Sequence, residues 1–276
     1  MNTEQVISHD DDLSRFAAEG AMPLPKTADQ GYVEHDGAQI WYERYGEGPP
    51  VILLHGGMGN TGNWGGQVQA LTAAGYSAIL IDSRGHGRST RDDRPYSYVL
   101  MATDVMAVMD HLGLPHAAFV GWSDGACISL VLADQAPERA QGVFFFACNM
   151  DPSGVRDDIS FTSILDHCIG RHKQDYRERS TTPDGFDAMF EAVQLMQRTQ
   201  PDYRAEDLAR IRVPVTVAQS PQDEFIRLSH SQYLAQAIPG ARFVQLEGVT
   251  HFAPVQRPEV FNRAILDFLS GLPGRG

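Results

Sequence analysis

The sequence has few cysteines, little positive charge and no long apolar run. Its 276 residues include three cysteines, which lie far apart in apolar or helix-like segments. We therefore expect buried reduced thiols rather than disulfide bridges, and a cytoplasmic protein. No run approaches the roughly 18 apolar residues of a membrane-spanning helix. The formal net charge of −13 argues against nucleic acid or an anionic membrane as a partner.

The amino-terminal segment is also poor in recognisable signals. Residues 1–12 are acidic, whereas a secretory signal is basic and then apolar. The first thirty residues are polar, charged and interrupted by Pro23 and Pro25, so we expect a loose arm with at most a helical turn and no chemistry. The chain shows no internal repeat and no low-complexity tract.

From Gly31 onward the pattern is typical of an α/β protein with a mostly parallel sheet. A hydrophobic content of 42% is ample for one large core. Two strand-like runs joined by Asp36 and Gly37 predict an antiparallel hairpin. Later apolar runs lack alternation, as expected for parallel strands covered on both faces, and helix-like patterns separate them. The predicted strands are 32–35, 39–45, 51–54, 78–81, 117–120, 143–147, 213–218 and 242–246.

One segment interrupts this alternation. Residues 150–210 contain helix-like patterns at 159–172, 185–198 and 205–210 and no strand-like run. An insertion between two strands, at the sheet edge where ligands bind, indicates a small helical cap. We therefore predict an arm (1–30), an α/β core (31–149 and 211–276) and a cap (150–210).

The run Gly121-Trp122-Ser123-Asp124-Gly125 lies between a predicted strand and a helix-like stretch. This is the layout of a nucleophile elbow, in which a sharp turn presents a serine above the sheet. The turn is so tight that the positions two before and two after the serine must be small. The first amides of the following helix favour negative charge beside the serine. Ser123 is therefore the candidate nucleophile.

A nucleophilic serine needs a base and an acid that orients the base. In this arrangement the acid and then the histidine follow the serine along the chain, each after a later strand. Asp223 and His251 occupy those places. The plain alternatives are a helix cap for Asp223 and an ordinary loop histidine for His251. Asp151, after the preceding strand, is a second candidate for the acid.

Two backbone N–H groups are needed to stabilise the oxyanion of acyl transfer. We expect one from Asp124 and the other from Gly57 in the loop His55-Gly56-Gly57-Met58-Gly59, with Met58 as the adjacent alternative. His55 is expected to orient this loop. The substrate pocket is expected to have an apolar wall, although each wall residue could equally be a core residue. The candidate wall residues are Met58, Trp122, Met150 and Phe252, with Trp64 and Phe225 beside them.

Together these segments, over residues 31–269, resemble the α/β-hydrolase fold family. The loop Asp82–Ser89 is similar to a structural loop of that family, and the elbow is similar to that of biphenyl-hydrolase-like esterases of the valacyclovir hydrolase type. The second resemblance implies that Asp124 can bind a substrate amino group; capping of the helix is the alternative. Ser220 stands where the family often has glycine. Because the elbow residue is serine, the resemblance excludes haloalkane dehalogenases and epoxide hydrolases, which have aspartate there.

The residues and the resemblance predict a serine hydrolase of small carboxylic esters or lactones, with no metal or organic cofactor. Amide or aminopeptide hydrolysis, carbon–carbon cleavage and perhydrolysis remain possible on the same triad. A non-catalytic ligand receptor is the alternative from a different class. A metal-dependent hydrolase is disfavoured because neither His-x-His-x-Asp nor His-Glu-x-x-His occurs. The sequence assigns no oligomeric state.

Overall fold

The computed structural model describes residues 9–273 and contains one eight-stranded sheet. The strand order is β1-β2-β4-β3-β5-β6-β7-β8, with β1 and β2 antiparallel to their neighbours and the other pairs parallel. The mostly parallel α/β sheet predicted from the sequence is confirmed. The strands are β1 (Gln30–His35), β2 (Ala38–Tyr45), β3 (Pro50–Leu54), β4 (Ser77–Ile81), β5 (Ala117–Trp122), β6 (Ala140–Phe146), β7 (Val215–Gln219) and β8 (Arg242–Gln245).

Helices connect the strands, and the region between β6 and β7 is helical. The predicted helix beginning at Tyr98 and the final helix beginning at Pro258 both form at those residues. The helices are α1 (His9–Glu19), α2 (Gly65–Ala73), α3 (Tyr98–His111), α4 (Asp124–Gln135), α5 (Ser163–Arg179), α6 (Phe186–Thr199), α7 (Ala205–Leu208), α8 (Leu228–Ala237), α9 (Ala253–Gln256) and α10 (Pro258–Ser270). Within residues 9–273, no helix has the length and apolar character needed to cross a membrane.

The central strands are apolar on both faces because each face contributes to a separate core. In β3, Ile52 and Leu54 belong to one buried cluster, whereas Val51 and Leu53 belong to the other. Successive side chains of a strand point to opposite faces, so a strand covered on both sides needs apolar residues at every position. This explains the unbroken apolar runs in the sequence.

The first two strands form the predicted hairpin. Asp36 and Gly37 have φ values of 44° and 81°, and His35 pairs with Ala38. Two consecutive residues with positive φ form the turn that best matches the right-handed twist of paired strands. The Asp-Gly pair was therefore a reliable signal.

The loose arm predicted for residues 1–30 is wrong for residues 9–19, whereas residues 20–29 form no helix or strand. Residues His9–Glu19 form α1, which packs against α5 and buries Leu13 and Phe16. The Arg257 Nε atom lies 2.6 Å from an oxygen of Asp12. A helix this short is stable through tertiary packing rather than propensity, which is why the sequence pattern alone did not reveal it. Residues 1–8 lie outside the described part of the chain.

The helices between β6 and β7 differ from the predicted ones mainly in their limits. Helix α5 begins at Ser163, where the Thr162 side chain accepts a hydrogen bond from the Leu165 N–H, and it continues to Arg179. The sequence had predicted 159–172. Helix α6 buries Phe186, Met189 and Val193 against the α/β core. The division into arm, core and cap remains a prediction.

Candidate active site

Ser123 lies at the junction of β5 and α4 with an unusual backbone conformation. Its φ is 53°, and its N–H donates to the Phe146 carbonyl at 2.9 Å. A Cβ at Gly121 would lie 2.4 Å from the Ala126 Cα, and a Cβ at Gly125 would lie 2.0 Å from the Leu54 oxygen. Only glycine fits at these two positions, which is the steric requirement expected of a nucleophile elbow.

Asp223 and His251 are neighbours although 28 residues separate them in the chain. The Asp223 Oδ2 atom lies 2.9 Å from the His251 Nδ1 atom. The other carboxylate oxygen accepts the N–H groups of Phe225 and Ile226, each at 2.8 Å. These bonds hold the carboxylate so that one oxygen faces the imidazole.

Asp151, the second candidate for the acid, faces a different histidine. Its Oδ1 atom accepts the Ser153 N–H at 2.9 Å and caps a short helical turn. Its Oδ2 atom lies 3.9 Å from the Nδ1 atom of His230. The geometry therefore pairs His251 with Asp223.

Glu224 adds a second carboxylate beside His251. Its Oε2 atom accepts a hydrogen bond from the backbone N–H of His251 at 3.0 Å. Burial favours the neutral imidazole, but the attraction and hydrogen bond of Asp223, together with the charge of Glu224, outweigh it and raise the pKa of His251. Sequence reasoning missed Glu224, for which its position next to Asp223 was the only signal.

Ser220 links the loop of the acid to the loop of the histidine. Its hydroxyl donates to the Val249 carbonyl and accepts the Gln222 N–H. A glycine at this position would lack both bonds. The departure from the family pattern is therefore compatible with the Asp223–His251 geometry.

The loop after β3 has a peptide group fixed by His55. The Gly56 carbonyl accepts hydrogen bonds from the His55 Nδ1–H at 2.7 Å and from the Gly59 N–H at 2.9 Å. His55 Nε2 accepts the Ser83 N–H at 3.0 Å, so the ring proton must be on Nδ1. Burial lowers the pKa of His55 to about 3, which keeps the ring neutral.

This arrangement sets the direction of the Gly57 N–H. The Gly56 carbonyl and the Gly57 N–H belong to one planar trans peptide and point in opposite directions. The next carbonyl, that of Gly57, lies 2.9 Å from His86 Nε2. A Cβ at Gly57 would lie 2.4 Å from an oxygen of Asp124 and 2.9 Å from the Gln197 side-chain nitrogen, so any larger residue would have to displace these side chains.

A cavity of about 440 Å³ connects these groups. Ser123, His251, Gly57 and Asp124 all line it. Of the four residues predicted for the substrate wall, the cavity is lined by Met58, Trp122 and Phe252.

The placement of Met150 in the substrate wall is wrong. Met150 is fully buried in the core, and its N–H donates to His230 Nε2 at 3.2 Å. The chain turns at Ala147, with a φ of 59°, directly after β6. The direction of a side chain beyond such a turn cannot be predicted from the strand pattern.

The cavity wall also includes Phe225, which the sequence places with the apolar wall, and residues of the helices between β6 and β7. His172 of α5 is buried there, and burial lowers its pKa to about 4. Phe225 makes an edge contact with the His251 ring, with ring centroids 4.8 Å apart. The helices between β6 and β7 contribute Ile169, Phe190, Gln194, Gln197 and Arg198.

The side chain of Asp124 joins the elbow to α6. Its Oδ1 atom accepts the Tyr98 hydroxyl at 2.7 Å, and both oxygens lie within 3.1 Å of the Gln197 side-chain nitrogen. Burial raises the pKa of Asp124, and these two donors act in the opposite direction. The contacts favour a structural role for this carboxylate over recognition of a substrate amino group.

Comparison with known proteins gives consistent matches. A family model described as alpha/beta hydrolase fold matches residues 49–165. The chain is 30% identical to a putative carbamate hydrolase, RutD, of Azorhizobium caulinodans, over 86% of this chain and 97% of that protein. It is 28% identical to the rhodomycin D methylesterase DauP of Streptomyces sp., over 84% of this chain and 95% of that protein. The crystal structure of an enol-lactonase from Burkholderia xenovorans LB400 superposes with a TM-score of 0.70 at 22% identity, over 87% of this chain and all of that one, and shows the shared fold.

Proposed function

The chain belongs to the α/β-hydrolase fold family, and we propose that this hydrolase cleaves a small carboxylic ester or lactone through an acyl-enzyme on Ser123. One observation carries the proposal: the 2.9 Å contact between Asp223 and His251, with His251 and Ser123 on the wall of the same cavity. A nucleophile, a base and an acid that orients the base are the components needed for acyl transfer.

In the first half-reaction the Ser123 hydroxyl attacks the substrate carbonyl. His251 takes the hydroxyl proton on Nε2 while its Nδ1–H donates to Asp223. The charge that develops on the carbonyl oxygen is stabilised by the N–H groups of Gly57 and Asp124. Each such donor contributes roughly 3–4 kcal/mol to stabilisation of the transition state in enzymes of this type.

In the second half-reaction water hydrolyses the acyl-enzyme. The protonated His251 has by then given its proton to the leaving alcohol, and the neutral imidazole serves again as base, this time toward water. The same two N–H groups stabilise the second tetrahedral intermediate. The acid product then leaves and Ser123 is regenerated.

The cavity and the relatives support this choice of substrate. The cavity volume lies within the range of about 300–1,000 Å³ that is usual for small-molecule sites, and aromatic and aliphatic side chains form most of its wall. The relatives include a methylesterase and a putative carbamate hydrolase, and methyl esters and carbamates both contain a carbonyl bonded to a heteroatom. A lactone presents the same bond within a ring.

The test is a substrate panel with the Ser123→Ala variant. We expect turnover of short p-nitrophenyl esters or lactones by the native protein, and a decrease of at least about a thousandfold in kcat for the variant. Ser270→Ala is the matched control because Ser270 is exposed at the end of α10. Undiminished ester turnover by Ser123→Ala would rule the mechanism out.

The same panel separates the alternatives. Other reactions of the same triad are tested with carbamates, with aminoacyl amides, with a substrate for carbon–carbon bond cleavage, and by measuring peracid formation. A fluorophosphonate probe tests whether the serine reacts at all, because a ligand receptor without catalysis would give no adduct at Ser123. An adduct without ester turnover would point to one of the other acyl substrates.

We also propose that the protein acts in the cytoplasm on a soluble small molecule. All three cysteines are free in the structure, as expected in a reducing compartment, and the net charge of −13 disfavours anionic surfaces. Fractionation of cells that produce the protein tests this placement.

A further inference from the structure

Two of the three cysteines lie side by side next to the proposed active site. The Sγ atoms of Cys127 and Cys148 are 3.0 Å apart, although the residues are 21 positions apart in the chain. Cys127 is the fourth residue of α4, and its N–H points toward the Ser123 carbonyl at 3.3 Å. Cys148 lies two residues beyond β6.

Regular structure keeps the two sulfur atoms together. β5, which leads into α4, pairs with β6 over its length, with Trp122 opposite Phe146. The Cys127 sulfur also contacts the Asn149 carbonyl at 3.0 Å. A disulfide bond is about 2.0 Å long, so the two sulfur atoms lie about 1 Å farther apart than in a disulfide.

The two thiols differ in access. Both belong to the same buried core cluster, but Cys148, with 3% of its surface exposed, lines the same cavity as Ser123, whereas Cys127 is fully buried. Burial raises the pKa of Cys127 well above its usual range, so this thiol stays protonated at neutral pH. A small reagent in the cavity therefore meets Cys148 first.

We propose that Cys127 and Cys148 form a redox-reactive dithiol that a small hydroperoxide oxidises through the substrate cavity. In the first step the Cys148 sulfur attacks the terminal peroxide oxygen, the O–O bond breaks, and Cys148 becomes a sulfenic acid, while the Cys148 thiol proton leaves with the released hydroxide or alkoxide as water or an alcohol. In the second step the Cys127 sulfur attacks the Cys148 sulfur, the S–O bond breaks, and the Cys127 proton leaves with the hydroxide as water. The two thiols lose two electrons, and one hydroperoxide is reduced.

The resulting bond would join α4 to the segment that follows β6. Helix α4 begins directly after Ser123, and Asn149 of the other segment lines the cavity. The dithiol uses no member of the proposed triad. Its test is therefore independent of the hydrolase proposal.

The experiment is thiol counting and peptide mapping after treatment with hydrogen peroxide. The folded protein is oxidised, quenched, denatured and alkylated, and then digested with trypsin, which cleaves after Arg139 between the two cysteines. We expect the number of free thiols to fall from three to one, with a disulfide between the peptides on either side of Arg139. Dithiothreitol should restore three thiols. A folded, peroxide-treated protein without this cross-link would overturn the proposal.

Variants separate the roles of the cysteines. Cys168→Ser is the matched control, because Cys168 is buried elsewhere, near the Leu13 carbonyl, and the cross-link should persist without it. Cys127→Ser should leave a sulfenic acid on Cys148 that dimedone traps. In Cys148→Ser, Cys127 should resist peroxide. Oxidation of Cys127 in that variant at the native rate would contradict entry through Cys148.

Discussion

His55 belongs neither to the proposed triad nor to the cavity wall, yet its two ring nitrogens fix the peptide that carries the Gly57 N–H. One nitrogen donates to the Gly56 carbonyl and the other accepts from Ser83. A neutral imidazole with its proton on Nδ1 satisfies both partners at once. The direction of the proposed oxyanion donor is therefore set by a residue that need not touch the substrate.

Replacing His55 tests this control over the loop. In His55→Ala the Gly56 carbonyl loses its side-chain donor, so we expect kcat for an ester to fall roughly 10- to 100-fold with little change in KM. Steady-state kinetics measure the effect, with circular dichroism to confirm folding. The exposed His116→Ala is the control. Equal losses in both variants would remove His55 from the mechanism.

The charges around His251 predict the pH dependence of the reaction. His251 must be neutral to act as base, and its pKa is raised, so activity should fall as the pH decreases through a value above the ordinary histidine pKa of about 6.5. In Glu224→Gln a hydrogen-bond acceptor remains but the charge is lost. The acid limb of kcat/KM should then shift to lower pH.

A second glutamate provides the control for this shift. Glu247 is exposed in the loop that follows β8, and Glu247→Gln should leave the acid limb in place. The measurement is kcat/KM against pH at constant ionic strength. An acid limb that stays fixed in Glu224→Gln would show that Glu224 does not influence the proposed base.

At the scale of helices and strands, α6 is attached to the elbow through one carboxylate. Asp124 is the first residue of α4, and Gln197 of α6 donates to both of its oxygens. Tyr98, the first residue of α3, donates to the same carboxylate. Three helices therefore meet at a residue whose N–H is the proposed oxyanion donor.

Loss of the Gln197 amide should weaken this attachment. In Gln197→Leu the buried carboxylate loses a donor, and we expect the free energy of unfolding to fall by about 1–3 kcal/mol. Gln194→Leu is the control, because Gln194 lines the cavity on the same helix but lies one turn away. Urea denaturation of both variants measures the difference. Comparable losses would show that the contact with Asp124 is not the cause.

At the scale of the whole molecule, α1 connects the amino-terminal segment to the cavity. Phe16 is almost fully buried, with its ring centroid 5.4 Å from that of His172 and 6.3 Å from that of Phe252. Both of those residues line the cavity. The segment expected to be a loose arm is therefore part of the support for the cavity wall.

Truncation of Phe16 tests that support. Phe16→Ala removes a buried aromatic ring, so we expect the free energy of unfolding to fall by about 3–5 kcal/mol. The exposed Ser14→Ala on the same helix should change it by less than about 0.5 kcal/mol. Guanidinium denaturation measures both. A Phe16→Ala protein as stable as Ser14→Ala would mean that α1 contributes little to the fold.

A structural feature could be predicted from the sequence when the interactions that form it leave a local pattern, and not when they join residues far apart in the chain. The strands were predictable because burial on both faces leaves unbroken apolar runs, as in β3 and β6. The elbow and the loops of Asp223 and His251 were predictable because chain order and strand ends restrict where a triad can form. Glu224 could not be singled out, since its contact with His251 spans 27 residues and leaves no local pattern.

Helix packing was harder to anticipate for a similar reason. Leu13 and Phe16 are too few to mark a helix until α5 lies against them. The direction of Met150 depends on a single backbone turn at Ala147. Gln197 could be assigned to a helix, but its bond to Asp124 depends on how that helix is placed over the sheet.

The backbone conformation of Ser123 lowers the stability of the fold at the residue proposed to be reactive. A φ of 53° is disfavoured for every residue except glycine, and strain of this kind costs about 1–3 kcal/mol. Glycine at position 123 would relieve that strain, but it would also remove the hydroxyl. The protein thus has, at its proposed reactive centre, a residue whose backbone conformation is unfavourable. The hydroxyl needed for the proposed reaction is therefore present at the expense of a lower free energy of unfolding.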